Sequence, residues 1–210
     1  MNIVTIHCNP KPVEQSACRT VAQRLTDRLQ DLYPGCTVTR HDLYLENIPE
    51  MDLACYERRA ELMGADDSTD PEVREKIARI RELAEELLLC DRLILAAPMW
   101  NLGLPGRLKN YLDTIVLQGT TVEIRDSGIH GLLGDRERKA LFIQSCGGRF
   151  GHAPLSLLNL GWHQVRMVLS ALGFASVRLL PVDACGSTHE AWEKAVCRGL
   201  LAIDSCLEEF

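Results

Sequence analysis

The chain has 210 residues, 46% of them hydrophobic and 25% charged, which is the chemistry of an ordinary globular fold. That length closes a core without disulfides or a structural metal. A net charge of −6 with no basic run argues against nucleic acid and anionic membranes as main partners.

Strand-like and helix-like runs alternate along the chain. Residues 3–8 read as the first strand, and a strand pattern beginning at Asn2 leaves no room for a leader. Residues 16–33 read as a helix with Val21, Leu25, Leu29 and Leu32 on one face. Pro34-Gly35 stops it. Residues 37–41 form a short second strand, and residues 53–63 a short helix. Asp70-Pro71-Glu72 opens the next helix with a capping side chain, a proline and an acid. Its buried stripe is Val73, Ile77, Ile80, Ala84 and Leu87.

Residues 92–97 are apolar throughout, as a central parallel strand covered on both faces requires. Residues 105–117 are helical, with Leu108, Leu112 and Ile115 inward. A glycine-rich excursion over residues 119–134 suits a hairpin. Residues 140–144 make the fourth strand, a helix ends near Gly173, and residues 177–182 make the fifth strand. Ser187 and Glu190 fit a capping box for the last helix. No segment approaches the ~18 apolar residues of a membrane helix. The nine cysteines show no C-x-x-C and no nearby His pair, so they read as cytosolic thiols and no metal site is expected.

Five strands alternating with helices imply an α/β fold: a three-layer, doubly wound, five-stranded parallel sheet. Such sheets bind ligands at the carboxyl ends of their strands. Three loops follow those ends. After the first strand, Asn9-Pro10-Lys11-Pro12 delays the helix until Ser16-Ala17-Cys18. The unpaired N–H groups of that helix start, with the Ser16 hydroxyl, suit a phosphate; Ser16 acting only as a helix cap is the simpler alternative. After the third strand, Met99-Trp100-Asn101-Leu102 offers flat apolar area and an amide that fits the edge of a heteroaromatic ring. Core packing explains Met99 and Trp100 equally well, but not Asn101. After the fourth strand, Ser145-Cys146-Gly147-Gly148 lets backbone N–H groups approach a ligand closely. A tight strand-to-helix turn would use the same glycines. The absence of G-x-G-x-x-G argues against a dinucleotide cofactor.

Ala97-Pro98-Met99-Trp100-Asn101-Leu102, followed by Leu108-Lys109-Asn110-Tyr111-Leu112-Asp113, resembles the signature of bacterial FMN-dependent NADH azoreductases, within the flavodoxin-like quinone reductases. The spacing of Ser16-Ala17-Cys18 and of Ser145-Cys146-Gly147-Gly148 fits as well. The resemblance implies a flavodoxin-like sheet of order 2-1-3-4-5 forming one domain over residues 1–210, and a cytoplasmic homodimer. It implies FMN as cofactor and two-electron ping-pong reduction of quinones or azo compounds by NADH or NADPH. Residues Ser16, Ala17 and Cys18, with Asn9, would then hold the phosphate. Met99, Trp100, Asn101, Leu102, Ser145, Cys146, Gly147 and Gly148 would hold the ring. The chain departs from the family at Cys18, where a hydroxyl residue is usual, and at Cys146, where a polar or basic residue is. Thr121-Val122-Glu123-Ile124 also lacks the aromatic and basic residues common in that segment.

The redox chemistry belongs to the flavin, so no side chain is assigned as catalytic. Three other readings compete. A phosphate-receiving signalling domain needs acids after the first strand and Asp after the third, where His7-Cys8-Asn9 and Met99-Trp100-Asn101 stand. A flavodoxin-type electron carrier, or an FMN reductase without azo activity, would share the cofactor site. A hydrolase using Cys146 with His152 lacks the glycine two places before its nucleophile.

Overall fold

The computed structural model describes residues 1–57, 70–208 and 210. Apolar runs without alternation make strands that can be stable only with both faces covered, and that sets the frame. Strands β1 (Asn2–His7), β2 (Thr37–Asp42), β3 (Arg92–Pro98), β6 (Lys139–Ser145) and β7 (Ser176–Val182) pair in parallel in the order β2-β1-β3-β6-β7. With the two hairpin strands left out of the count, this is the expected 2-1-3-4-5.

Alternate residues of each strand feed two cores. Val4, Ile6, Leu93, Leu95, Ala140 and Phe142 pack beneath α3 (Pro71–Leu89), α4 (Gly106–Ile115) and α5 (Leu160–Leu172). Ile3, Ile94, Leu141, Ile143, Leu180 and Val182 pack beneath α1 (Ala17–Leu32) and α6 (His189–Leu201). A short α2 (Leu53–Glu57) follows β2, and α7 (Ile203–Leu207) follows α6. The rest of the helix expected over residues 53–63 lies outside the described residues.

Local signals held where they were strongest. Asp70 caps α3 by accepting from Glu72 N–H at 3.0 Å, with Pro71 in the first turn. Gly173 ends α5 in the left-handed region at φ 107°. The excursion is a hairpin, β4 (Val122–Arg125) against β5 (Gly128–Gly131).

Two expectations need correction. Leu32 is 51% exposed, because the stripe of α1 drifts off the core after Leu29. The last helix is capped by Thr188, which accepts from Ala191 N–H at 3.2 Å, so the cap lies one residue beyond Ser187, and Ala191 has no side chain to close a box.

One ionic lock ties the β2 end to α3. His41 is buried, with Nδ1 2.8 Å from Glu46 and Nε2 2.7 Å from Glu86. The hydrogen bond to Glu86 raises the His41 pKa above its usual value, burial opposes it, and Glu46 adds to the rise. The folded state therefore holds this proton more tightly than the unfolded chain does. The lock's contribution is complete below about pH 6.5 and is lost as pH rises through the raised folded pKa. Urea denaturation of wild type and His41→Gln across that range checks this: the stability gap should shrink with rising pH. A gap that widens toward alkaline pH would contradict the lock.

Candidate functional site

The carboxyl ends of β1, β3 and β6 lie side by side, with His7 beside Ala96 and Pro98 beside Ser145. All twelve candidate residues lie at these strand ends, in the loops that follow them or in the first turn of α1. Their geometry begins with the two prolines after β1. Pro10 and Pro12 forbid an immediate helix, so the chain makes one 3-10 turn, Val13–Gln15, before α1 starts.

Ser16 caps α1, with Oγ accepting from Arg19 N–H at 3.4 Å. Asn9 is buried and donates to the same oxygen at 2.8 Å, while its Oδ1 accepts from Lys11 N–H at 3.0 Å. The Cys18 sulfur lies 3.4 Å from Ser16 Oγ. Ser16 does cap α1, and its oxygen accepts from both Asn9 and Arg19. The N–H groups of Ala17 and Cys18 have no acceptor among the described residues. Arg19 staples the loop from behind, donating to the carbonyl oxygens of Asn9 and Lys11 at 3.0 and 3.2 Å and pairing with Asp42 at 2.7 Å. At the strand end, burial and then the nearby Arg19 push the His7 pKa down to about 4, so its ring is neutral near pH 7.

After β3 the chain reverses in a two-residue turn. Trp100 and Gly103 exchange hydrogen bonds at 3.1 and 2.9 Å, and Asn101 and Leu102 between them have φ 49° and 64°. Two successive positive φ values are the signature of a type I′ turn. Asparagine tolerates that region and leucine disfavours it, so nothing in the residue types announces the turn at Leu102. The Asn101 side chain makes no hydrogen bond among the described residues, and the N–H groups of Asn101 and Leu102 have no acceptor there either. Met99 is tied inward, its N–H donating to Ser145 O at 2.8 Å.

Helix α5 holds this turn from the side. Gly161 N–H donates to Leu102 O at 3.2 Å, and a Cβ on Gly161 would meet the Gly103 backbone at 3.0 Å. The position of α5 is fixed in turn by Asn159. Its Oδ1 accepts from Trp162 N–H at 3.0 Å, so its amide nitrogen must donate, and it does so to buried Gln144 Oε1 at 2.6 Å. Gln144 Nε2 has no partner among the described residues, a cost of about 1–3 kcal/mol. Sequence reasoning missed this pair, because nothing local links residues 144 and 159.

After β6 the backbone is held at both ends and free in the middle. Cys146 N–H donates to Val182 O at 3.3 Å, and Gly148 O accepts from Ala184 N–H at 2.8 Å. The N–H groups of Gly147 and Gly148 have no acceptor among the described residues. A Cβ on Gly147 would project into open space. The Cys146 thiol turns away from a nucleophile's role. It lies 2.8 Å from Asp183 Oδ1 and 3.2 Å from Gly148 O, and burial followed by the bond to Asp183 pushes its pKa up to about 12. His152 is not its partner, which removes the hydrolase alternative. Asp183 was also missed by sequence reasoning; a carboxylate at the end of the fifth strand was the available signal.

A family model described as "Flavodoxin-like fold" matches residues 1–199. The chain is 31% identical over 209 residues to an FMN-dependent NADH:quinone oxidoreductase from Clostridium botulinum (strain Eklund 17B / Type B), spanning 98% of this chain and 97% of the relative. The chain belongs to that family. A protein of the same name from Trichlorobacter lovleyi is 39% identical over 150 residues, 70% of this chain and 71% of the relative. An azoreductase structure from Bacillus anthracis str. Sterne shares the fold with a TM-score of 0.86, at 21% identity over the full length of both chains.

The donor set of this quinone-oxidoreductase relative suits a flavin mononucleotide. Such a molecule carries an anionic phosphate at one end and a planar ring with carbonyl oxygens at the other. Free N–H groups at a helix start match the first. Free N–H groups on two facing loops, with the open space at Gly147 between backbone and solvent, match the second.

The Cys146 geometry predicts an inert thiol. At about pH 8, iodoacetamide should label exposed Cys197 well before Cys146, because only a thiolate alkylates readily. Peptide mapping that finds Cys146 modified first would refute the assignment of its proton to Asp183.

Proposed function

We propose that this chain, acting as one FMN-binding domain over residues 1–210, passes electron pairs from a nicotinamide to quinones or azo compounds in two half-reactions. The observation that carries this reading is the set of unpaired backbone N–H groups at Ala17, Cys18, Asn101, Leu102, Gly147 and Gly148, all at one end of one sheet. Bound FMN would supply the two-electron redox chemistry.

The chain's part is to bind, orient and shield. Ala17 and Cys18, at the start of α1, hold the phosphate, and Asn9 and Ser16 fix the loop that presents them. The turn at Asn101 and Leu102 fixes one edge of the ring, and Gly147 and Gly148 place donors where negative charge develops on reduction. Trp100 and Leu102, 44% and 38% exposed, give the mouth an apolar lining against which a flat donor or acceptor can stack. Met99, Ser145 and Cys146 hold the two ring-side loops in place from beneath. No side chain is assigned an acid–base step.

NADH, named for the relatives, is the proposed donor, with NADPH as the alternative. The nine unpaired cysteines favour a reducing compartment, and the cytoplasm is the proposed location. A homodimer is proposed because Ile129, Leu157, Leu160 and Met167, on α5, just before it, or on the hairpin beside it, are each more than half exposed. Light scattering at micromolar concentration should give twice the 23.5 kDa chain mass. A fully active monomer would refute the dimer.

The cofactor is tested by denaturing the purified protein and chromatographing what it releases. Stoichiometric FMN is expected; FAD, or no flavin even after reconstitution, would overturn the reading. Steady NADH oxidation with a quinone separates an enzyme from a simple electron carrier.

Asn101 offers a sharper probe, because its φ of 49° separates turn from contact. Asn101→Gly keeps the positive φ and removes only the amide. If that amide bonds the ring edge, FMN affinity falls by about 1–3 kcal/mol while the apoprotein melting temperature holds. Unchanged affinity in Asn101→Gly, beside a lowered melting point in Asn101→Leu, would leave Asn101 a turn residue only.

A further inference from the structure

Beside the 146–148 loop, where edge strand β7 ends, lies a second concavity of about 180 Å³ lined by Arg149, His152, Asp183, Ala184 and Arg198. It is smaller than the ~300 Å³ that a whole small-molecule ligand needs, so it suits one group of a larger molecule.

Its charge runs against that of the chain. The net charge is −6, yet this lining sets two guanidinium groups against one carboxylate. That carboxylate is already engaged: Asp183 Oδ1 lies 2.8 Å from the Cys146 thiol, and Oδ2 accepts from Gly151 N–H at 2.7 Å. Arg198 donates to the Asp183 carbonyl oxygen at 2.7 Å, which anchors its guanidinium at the rim. Arg149 has no partner among the described residues. One anchored and one free guanidinium share this small lining with His152, and guanidinium groups are the donors that tetrahedral anions take.

The pocket is also built into the cleft. Ala184 N–H donates to Gly148 O at 2.8 Å and Cys185 N–H to Cys146 O at 3.0 Å, so its wall and the ring-side loop are one piece. A phosphate seated there would be held at a fixed offset from whatever stacks in the mouth. Every nicotinamide dinucleotide carries a pyrophosphate, whereas a simple quinone carries no anion.

We propose that Arg149 and Arg198 bind a phosphate group of the nicotinamide dinucleotide donor and so select donors by their phosphates. This rests on the oxidoreductase function proposed above and adds a donor subsite to it. The same charge could serve a sulfonate on an azo acceptor, so the test separates the two sources.

The full chain is used as purified, with its flavin content measured. ADP-ribose, which carries the pyrophosphate without the nicotinamide, is titrated into wild type, Arg149→Ala and Arg149→Ala/Arg198→Ala. In parallel, kcat/KM is measured for NADH and for reduced nicotinamide riboside, which has no phosphate, with a neutral quinone and, separately, with a sulfonated azo compound as acceptor. ADP-ribose affinity and the NADH-to-riboside ratio should both fall on the order of tenfold in the double variant. Arg149→Lys should recover part of that loss. Arg149→Ala alone guards against misfolding, since this exposed side chain has no partner among the described residues. Unchanged ADP-ribose affinity or an unchanged ratio would overturn the proposal, as would a loss confined to sulfonated azo acceptors. A wild type without flavin that still binds ADP-ribose through these arginines would count against the proposed function and leave the subsite standing.

Discussion

Where β3 and β6 end, Met99 N–H donates to the Ser145 carbonyl oxygen at 2.8 Å, and the loops after both strands take their positions from that bond. It extends the parallel ladder one step past Pro98 and Ser145, the last paired residues of the two strands. Beyond it the chains diverge, one into the Asn101–Leu102 turn and the other into the glycines. The register behind this bond is firmly held, because both faces of β6 are buried. A slip of one residue would carry Phe142 into the α1 layer and Gln144 away from Asn159. The cleft is therefore a consequence of strand pairing, and the loops inherit a geometry they do not have to create.

The same end of the sheet is where the backbone is strained. Asn101, Leu102 and Ala184 are the non-glycine residues with positive φ among those described, and each follows the carboxyl end of a strand. A leucine in that region costs roughly 1–2 kcal/mol. It persists because its surroundings leave no alternative. Trp100 and Gly103 close the turn, Gly161 bonds the Leu102 carbonyl, and the missing side chain of Gly161 lets α5 come that close. Relaxing the turn would break those bonds and expose the core beneath α5, at greater cost than the strain relieved.

The fold was largely legible in the sequence because its signals are local. Periodicity placed the strands, Asp70 and Gly173 marked helix ends by their own chemistry, and alternation of strand with helix implied the parallel sheet. The three loops were legible for the same reason, since each directly follows a strand. What escaped was non-local or against propensity. The type I′ turn places a leucine where propensity forbids one. Ser187 and Thr188 are both able to cap, and only packing chooses between them. Asp183 meets Cys146 across 37 residues, and Gln144 meets Asn159 across 15. No pattern of spacing announces such pairs.

Those distant contacts also account for where the Cys146 side chain goes. The family resemblance leads one to expect a polar or basic side chain at this position, and the Cys146 thiol is engaged by Asp183 and the Gly148 carbonyl oxygen. What positions 147 and 148 present is backbone. The same holds at Ala17 and Cys18, whose N–H groups point out of a helix start whatever side chains they bear. A site made of main-chain donors, as proposed above, would depend on strand register and turn geometry rather than on side-chain identity. Such a site could be retained at the 31% overall identity found with a relative. The side chains left to distinguish one such protein from another are those at the rim, Trp100, Leu102 and Arg149, which face what enters and not what is held.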